Sequence, residues 1–219
     1  MIFDCDGVLV DSEPIARRVL AELLAEIGFP VPDAASAENH TGVSLPAVMA
    51  MIEKTAGRAL PPDFAACLRL RSQGAFDNDL QAMPAVAKTL ACLTVPKCVA
   101  SSGSPQKIRR NLALTGLLAY FEPYLFSAEM VTCGKPAPEL FLYAAQRMGE
   151  SPADCIVIED SVAGVQAGVT AGMRVIGFVG GEHCRPVSGA RLLAAGAASV
   201  CERMTDLAAG VGWLTSSRG

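Results

Sequence analysis

Short apolar runs alternate with amphipathic segments over most of the chain, and this alternation predicts the fold class. Five apolar runs have the length of buried strands: 1–3, 97–101, 124–127, 155–159 and 175–178. Beyond residue 84, helical segments lie between them, with Pro84, Ser104, Pro138 and Ser161 at their starts. Strands that alternate with helices form a parallel sheet covered on both faces. We therefore predict an α/β fold with a doubly wound, Rossmann-like parallel sheet.

Residues 14–83 have a different pattern, without a convincing strand after residue 31. Apolar positions recur with helical spacing in three segments: 15–27, 45–52 and 64–76. Gly28 and Pro30 end the first of these helices. We predict a small helical domain, residues 14–83, inserted after the first strand of an α/β core domain formed by residues 1–13 and 84–219.

Composition and charge narrow the classes of partner. Of the 219 residues, 51% are hydrophobic and 18% charged, and the net charge is −4. The hydrophobic content is sufficient for a buried core. The acidic balance argues against nucleic acid and anionic membrane surfaces as partners. No apolar stretch reaches the roughly 18 residues that span a bilayer, and the first residues lack the pattern of an export signal. We expect a cytoplasmic monomer that acts on a small molecule.

The eight cysteines are scattered along the chain, and none forms a Cys-x-x-Cys pair. Disulfide frameworks are typical of short secreted chains, whereas thiols stay reduced in the cytosol. We therefore interpret these cysteines as small apolar side chains.

Two aspartates follow the first apolar run directly. If Asp4 ends a buried strand, Asp4 and Asp6 lie on the same face and their carboxylates enter one crevice. Two carboxylates held this close repel each other and require a cation or a shared proton. Gly7 then permits a tight turn. A simple acidic turn at a strand end is the alternative, since Asp and Gly are common there.

Further polar groups follow the later strands. Ser101 and Ser102 end the second strand, Glu159 and Asp160 follow the fourth, and Lys135 lies in a loop before a helix. Taken singly, each has an ordinary explanation: a turn cap for the serine, a surface charge for the lysine, and a helix start for the acidic pair. Because ligands of doubly wound sheets bind at the carboxyl ends of strands, their joint occurrence there predicts one site.

This set of groups suits phosphoryl transfer assisted by a cation. Carboxylates without a His or Cys cluster favour a hard cation such as Mg²⁺. A hydroxyl and a lysine supply a donor and a positive charge for a phosphoryl group. One aspartate can then attack phosphorus, and the second can protonate the leaving oxygen and activate water.

Four segments of the chain resemble the four motifs of the haloacid dehalogenase superfamily. They are Phe3–Ser12, Val99–Ser102, Gly134–Pro136 and Ile158–Ser161. The helical insert resembles the cap of the β-phosphoglucomutase and phosphoglycolate phosphatase branch, which Val162–Gly168 also matches. Within it, Leu93–Val99 and the fourth motif are most similar to bacterial sugar-phosphate phosphatases of the 6-phosphogluconate phosphatase kind. The resemblance implies a Mg²⁺-dependent phosphatase that forms an aspartyl-phosphate.

The resemblance also implies roles for individual residues. Asp4 is the nucleophile and a metal ligand, and Asp6 is the acid/base and gives its backbone carbonyl to the metal. Asp160 is the other carboxylate ligand, with Glu159 beside it.

The remaining implied roles concern the phosphate and the rest of the substrate. Ser101 and Lys135 hold the phosphoryl group, with backbone amides near Gly7 and Ser102. The cap closes over the substrate and excludes bulk water. The segment His40, Thr41 and Gly42 either contacts the substrate or is an exposed loop, and the sequence leaves both interpretations open.

Other functions remain to be weighed against a phosphatase. A β-phosphoglucomutase has a histidine and an arginine where this chain has Ala16 and Leu45, which argues against a mutase. A dehalogenase attacks carbon without a metal. Asp6 and Asp160 would then have no catalytic function, which argues against a dehalogenase. A non-catalytic binding protein is disfavoured because every catalytic position is filled. A dinucleotide-binding protein or P-loop protein is disfavoured because the sequence contains neither glycine motif.

Overall fold

The computed structural model describes residues 1–32, 45–181, 184 and 187–207. The chain divides into two compact units. One unit consists of Met1–Asp11 with Gln81–Gly219, and the other of Ser12–Leu80. The first unit contains the strands, so it is the α/β core unit, and the second is the helical unit.

The core unit is built on a parallel sheet. Its strands are β1 (Ile2–Phe3), β2 (Cys98–Ser101), β3 (Leu125–Ser127), β4 (Ile156–Glu159), β5 (Arg174–Phe178) and β6 (Ser199–Cys201). The spatial order is β3-β2-β1-β4-β5-β6, and every neighbouring pair is parallel. The predicted α/β fold class is therefore confirmed. The sequence pattern did not predict β6, a three-residue strand whose side chains are only partly buried.

The helical unit contains three described helices, α1 (Glu13–Glu26), α2 (Leu45–Ala56) and α3 (Phe64–Asp79). Ion pairs Arg18–Asp79 and Arg71–Glu26 join α1 to α3. The guanidinium of Arg58 lies 4.1 Å from the centre of the Phe29 ring. These contacts lie within the helical unit.

The helices of the core unit follow its strands. They are α4 (Val86–Cys92), α5 (Pro105–Leu114), α6 (Glu139–Met148), α7 (Val162–Thr170) and α8 (Ser188–Ala194). Short 3-10 turns lie at Leu118–Tyr120, Ala128–Met130 and Pro152–Asp154. The predicted N-caps are confirmed for two helices. Ser104 accepts a hydrogen bond from the Lys107 N–H at the start of α5, and Ser161 accepts one from the Gly164 N–H at the start of α7.

Side chains cover both faces of the sheet, as expected for parallel strands between helices. On one face Ile2, Cys98 and Val157 belong to a single buried cluster. On the other, the rings of Phe3 and Phe121 meet edge to face, with centres 5.8 Å apart. Because such a core is close-packed, it fixes the positions of the residues that follow the strand ends.

All eight cysteines lie among the described residues, and none forms a disulfide. Cys5, Cys98 and Cys155 are buried, in agreement with their interpretation as small apolar side chains. Among the described helices, none has both the length and the apolar character needed to cross a bilayer.

The chain leaves and re-enters the core unit at one place. Val10 forms an antiparallel bridge with Ala82, and the Asp11 N–H donates to the Gln81 carbonyl over 3.0 Å. The whole of Ser12–Leu80 is therefore inserted between two segments that are hydrogen-bonded to each other in the core unit.

Candidate active site

Asp4 is the first residue after β1 and is anchored in the centre of the sheet. Its backbone N–H donates to the Ile158 carbonyl of β4 over 3.0 Å. Because β2 and β4 flank β1, the residues that follow these three parallel strands lie at the same edge of the sheet. Its side chain is 10% exposed. The sheet thus holds this carboxylate at the predicted edge.

Lys135 is the centre of a buried polar cluster. Its ammonium donates to Asp4 Oδ1 over 2.6 Å, to Glu159 Oε1 over 2.5 Å and to the Ala100 carbonyl over 3.0 Å. The side chain is 4% exposed, and Nζ lies 5.0 Å from the centre of the Phe141 ring. Charge-assisted hydrogen bonds in such surroundings are strong and directional. Lys135 therefore links the ends of β1, β2 and β4.

Glu159 is held at both oxygens. Oε1 accepts from Lys135, while Oε2 accepts from the Ser161 N–H over 3.0 Å and from the Ser161 hydroxyl over 2.9 Å. Ser161 Oγ in turn accepts from the Gly164 N–H over 3.0 Å. The start of α7 therefore positions the Glu159 carboxylate, which in turn positions the Lys135 ammonium.

Gly164 packs directly against this carboxylate. A Cβ added at Gly164 would lie 1.9 Å from both Cδ and Oε1 of Glu159. We expect Gly164→Ala to displace Glu159 from Lys135, lowering the free energy of unfolding by about 1–3 kcal/mol and reducing the activity of the protein. Urea unfolding and steady-state assays measure the two effects.

A matched control is Gly74→Ala in α3, where an added Cβ meets no atom within 4 Å. This exchange is expected to stabilise the protein by about 0.5–1 kcal/mol, because alanine favours a helix over glycine. Equal stability of the Gly164→Ala protein and the wild type would contradict the close contact with Glu159.

The cluster carries an excess of negative charge. Burial raises the pKa of the Asp4 carboxyl well above its usual range; the Lys135 ammonium opposes this, and the Glu159 and Asp160 carboxylates add to it. Burial alone would lower the pKa of Lys135, but the carboxylates of Asp4 and Glu159 outweigh it and raise the pKa. Burial is thus the main cause for Asp4, and the neighbouring carboxylates are the cause for Lys135. In this cluster one ammonium faces several carboxylates. A further cation would relieve this imbalance.

The residues present fit a hard cation. One carboxylate oxygen from each of Asp4, Glu159 and Asp160 lies within 4.8 Å of the others. Oxygen donors of this kind suit Mg²⁺. The Glu159 oxygens already accept hydrogen bonds from Lys135 and Ser161. Both oxygens of Glu159 are therefore already engaged within the cluster.

Asp6 lies in the turn after β1 and contacts α5. Asp6 Oδ2 accepts from Lys107 Nζ over 2.6 Å, and Oδ1 accepts from Asn111 Nδ2 over 3.4 Å. The sequence reasoning did not single out Lys107 or Asn111. The signal in the sequence that could have found them is their spacing of four residues, which places them on one face of the helix that follows Ser101.

Gly7 has φ +80° and its N–H donates to the Val10 carbonyl, so the turn uses this amide.

Ser101 ends β2 and is buried, whereas Ser102 is exposed. Ser101 Oγ accepts from the Gly103 N–H over 3.2 Å, and the Gly103 carbonyl accepts from the Ser127 hydroxyl over 2.6 Å. Ser101 and Ser127 are also paired in register between β2 and β3. These contacts fix the loop after β2 beside Ala100, the residue whose carbonyl binds Lys135.

The structure thus brings together Asp4, Lys135, Glu159 and Asp160. The roles predicted for these residues, and for Asp6, Gly7, Ser101 and Ser102, stay predictions. His40, Thr41 and Gly42 lie outside the described residues.

Comparison with known proteins identifies the family. Residues 1–172 match the family model of haloacid dehalogenase-like hydrolases. The chain belongs to the haloacid dehalogenase-like hydrolases. The predicted family and the prediction of a hydrolase are therefore confirmed.

Individual relatives of this haloacid dehalogenase-like hydrolase agree with the assignment. The chain is 33% identical over 188 residues to 6-phosphogluconate phosphatase of Escherichia coli, covering 85% of each chain. It superposes with a TM-score of 0.89 on a haloacid dehalogenase-like protein of unknown function from Agrobacterium tumefaciens, at 36% identity and 98% and 97% coverage. A hydrolase of the same family from Deinococcus radiodurans, with bound phosphate and sodium, gives a TM-score of 0.81 at 34% identity and 96% and 93% coverage.

Proposed function

We propose that the protein is a Mg²⁺-dependent phosphatase that hydrolyses a small phosphorylated metabolite, a sugar phosphate, through an aspartyl-phosphate on Asp4. The observation that carries the proposal is the buried contact of Asp4 with Lys135 in a cluster with excess negative charge. The relationship to 6-phosphogluconate phosphatase supports the choice of a sugar phosphate.

In the first step Asp4 acts as the nucleophile. Lys135 holds Oδ1, which leaves the carboxylate oriented for attack on phosphorus by its other oxygen. A bond forms between this oxygen and phosphorus while the bond from phosphorus to the sugar oxygen breaks. Asp6 gives a proton to the departing oxygen, so the sugar leaves as an alcohol.

In the second step the phosphoryl group passes to water. Asp6, now ionised, takes a proton from the water that attacks phosphorus, and Asp4 is released with inorganic phosphate. Lys135 and Ser101 bind the phosphoryl oxygens and neutralise their charge. Glu159 keeps Lys135 in place through the contacts described above.

Asp4 and Asp160 would hold the cation through their carboxylates, with the backbone carbonyl of Asp6 as a further ligand; Glu159 as a ligand stays a prediction. When bound, the cation neutralises negative charge on the phosphoryl group and on Asp4. The net negative charge of the cluster supports this assignment.

Phosphate release from a panel of aldose, ketose, hexitol and sugar-acid phosphates, 6-phosphogluconate among them, tests the proposal. We expect Mg²⁺-dependent release from at least one of them, complete loss of turnover in excess chelator and recovery when Mg²⁺ is restored. Activity that persists in chelator contradicts the cation's role. Conversion of β-glucose 1-phosphate to glucose 6-phosphate with a bisphosphate primer, without phosphate release, identifies a mutase instead.

A further inference from the structure

Two side chains of α5, Lys107 and Asn111, donate hydrogen bonds to the carboxylate of Asp6. Lys107 Nζ lies 2.6 Å from Oδ2, and Asn111 Nδ2 lies 3.4 Å from Oδ1. Each oxygen therefore has its own donor, and both donors belong to the same helix. The contacts join residues more than 100 positions apart in the chain.

Helix geometry explains how α5 supplies both donors. Residues four apart lie on the same face of a helix, so Lys107 and Asn111 are neighbours. Ser104 caps α5 by accepting from the Lys107 N–H, and Pro105 follows at its first position. Asn111 is 1% exposed, which fixes its place within the core unit. The capped helix thus forms a rigid support for the two donors.

We propose that Lys107, supported by Asn111, is a positioning residue that holds the Asp6 carboxylate in its catalytic orientation. The inference rests on the proposed role of Asp6 as the general acid and base. Asp6 sits in a turn next to Gly7, and its side chain is 21% exposed, so packing does not fully enclose it. Donors at both oxygens restrict that rotation, and small displacements of a catalytic group reduce the rate strongly.

Because Lys107 is partly exposed to solvent, its substitution can distinguish a role in catalysis from a role in stability. Its side chain is 40% exposed, and ion pairs accessible to solvent contribute little to stability. If the contact with Asp6 matters, its loss should therefore change catalysis rather than folding.

Two substrates of similar size isolate proton donation by Asp6. Benzyl phosphate releases an alkoxide that needs a proton, whereas p-nitrophenyl phosphate releases a stable phenolate that leaves without one. The ratio kcat/KM reports the steps up to the release of the alcohol or phenol. We expect Lys107→Met to lower kcat/KM roughly 10- to 100-fold for benzyl phosphate and by less than about threefold for p-nitrophenyl phosphate.

Four further proteins complete the test, since the double variant is compared with Asp6→Ala itself. Lys107→Arg keeps the charge and should recover much of the loss on benzyl phosphate. Lys88→Met removes a positive charge from an exposed position of α4 and should behave as the wild type. In an Asp6→Ala background, Lys107→Met should have no further effect on benzyl phosphate, because the group that it positions is gone.

The outcomes separate the inference from the proposed function. Equal losses on both substrates, or a loss that persists in the Asp6→Ala background, would overturn the inference and assign Lys107 to phosphate binding. Wild-type kinetics of Lys107→Met on both substrates would overturn it as well, while a large loss of benzyl phosphate turnover in Asp6→Ala, with residual turnover still measurable, would leave the proposed function intact. Full activity of Asp6→Ala on benzyl phosphate would instead refute the role of Asp6 on which the inference rests.

Discussion

Replacing Asp4 by asparagine is expected to lower phosphate release by at least about 10³-fold, because the amide is a poor nucleophile and forms no aspartyl-phosphate. The loss should appear in kcat for every substrate that the wild type hydrolyses. Trapping with acid after a short reaction should find phosphate covalently bound to the wild type and none on Asp4→Asn. Turnover near the wild-type rate would refute Asp4 as the nucleophile.

The same substitution should leave the fold intact. Since burial raises the pKa of Asp4, its ionised form lowers the stability of the metal-free protein. This penalty is absent below the unfolded-state pKa and develops as pH rises toward the folded-state pKa. In excess chelator at neutral pH, Asp4→Asn should therefore have a Tm at least as high as the wild type, and the difference should vanish in acid. A lower Tm at neutral pH would show that the bond from Lys135 to Asp4 outweighs the burial of charge.

Replacing Lys135 by methionine is expected to reduce both activity and stability. Methionine fills a similar volume but leaves the buried carboxylates of Asp4 and Glu159 without their ammonium. Removal of one partner from a buried ion pair costs about 3–5 kcal/mol. Activity should fall because the phosphoryl group loses a positive charge and Asp4 loses the contact that orients it. Thermal unfolding and steady-state kinetics measure the two effects.

Lys88→Met is the matched control, since Lys88 is exposed on α4. Its free energy of unfolding should stay within about 0.5 kcal/mol of the wild type, and its kinetics should be unchanged. If Lys135→Met were as stable and active as Lys88→Met, the buried cluster would have neither the structural nor the catalytic importance assigned to it.

The parts of the site that the sequence predicts are those attached to strand ends. Asp4, Ser101 and Glu159 each close an apolar run. Because parallel strands end at one edge, the alternation of strands and helices is enough to group them. The same reasoning predicts that Lys135 lies near them, but a loop position does not predict its distance from Asp4 or Glu159. The structure adds the bond lengths and the burial.

Other features depend on tertiary contacts that a linear pattern does not carry. Lys107 and Asn111 lie on a helix whose sequence also contains Arg109 and Arg110, so the sequence does not show which cation meets Asp6. The two oxygens of Glu159 are engaged by Lys135 and Ser161, which no spacing rule indicates. Strand β6 is short and partly buried, and such strands lack the continuous apolar run that marks the others.

The pairing of Val10–Asp11 with Gln81–Ala82 has a consequence for how much the segment between them can vary. Because Asp11 and Gln81 are hydrogen-bonded to each other, the core unit closes at this point whatever length of chain connects them. The entropic cost of a longer connection grows only by about 0.6 kcal/mol for each doubling of length. Ser12–Leu80 can therefore be shortened or lengthened at a small entropic cost, while β1 keeps its register with β2 and β4 and Asp4 keeps its place beside Lys135.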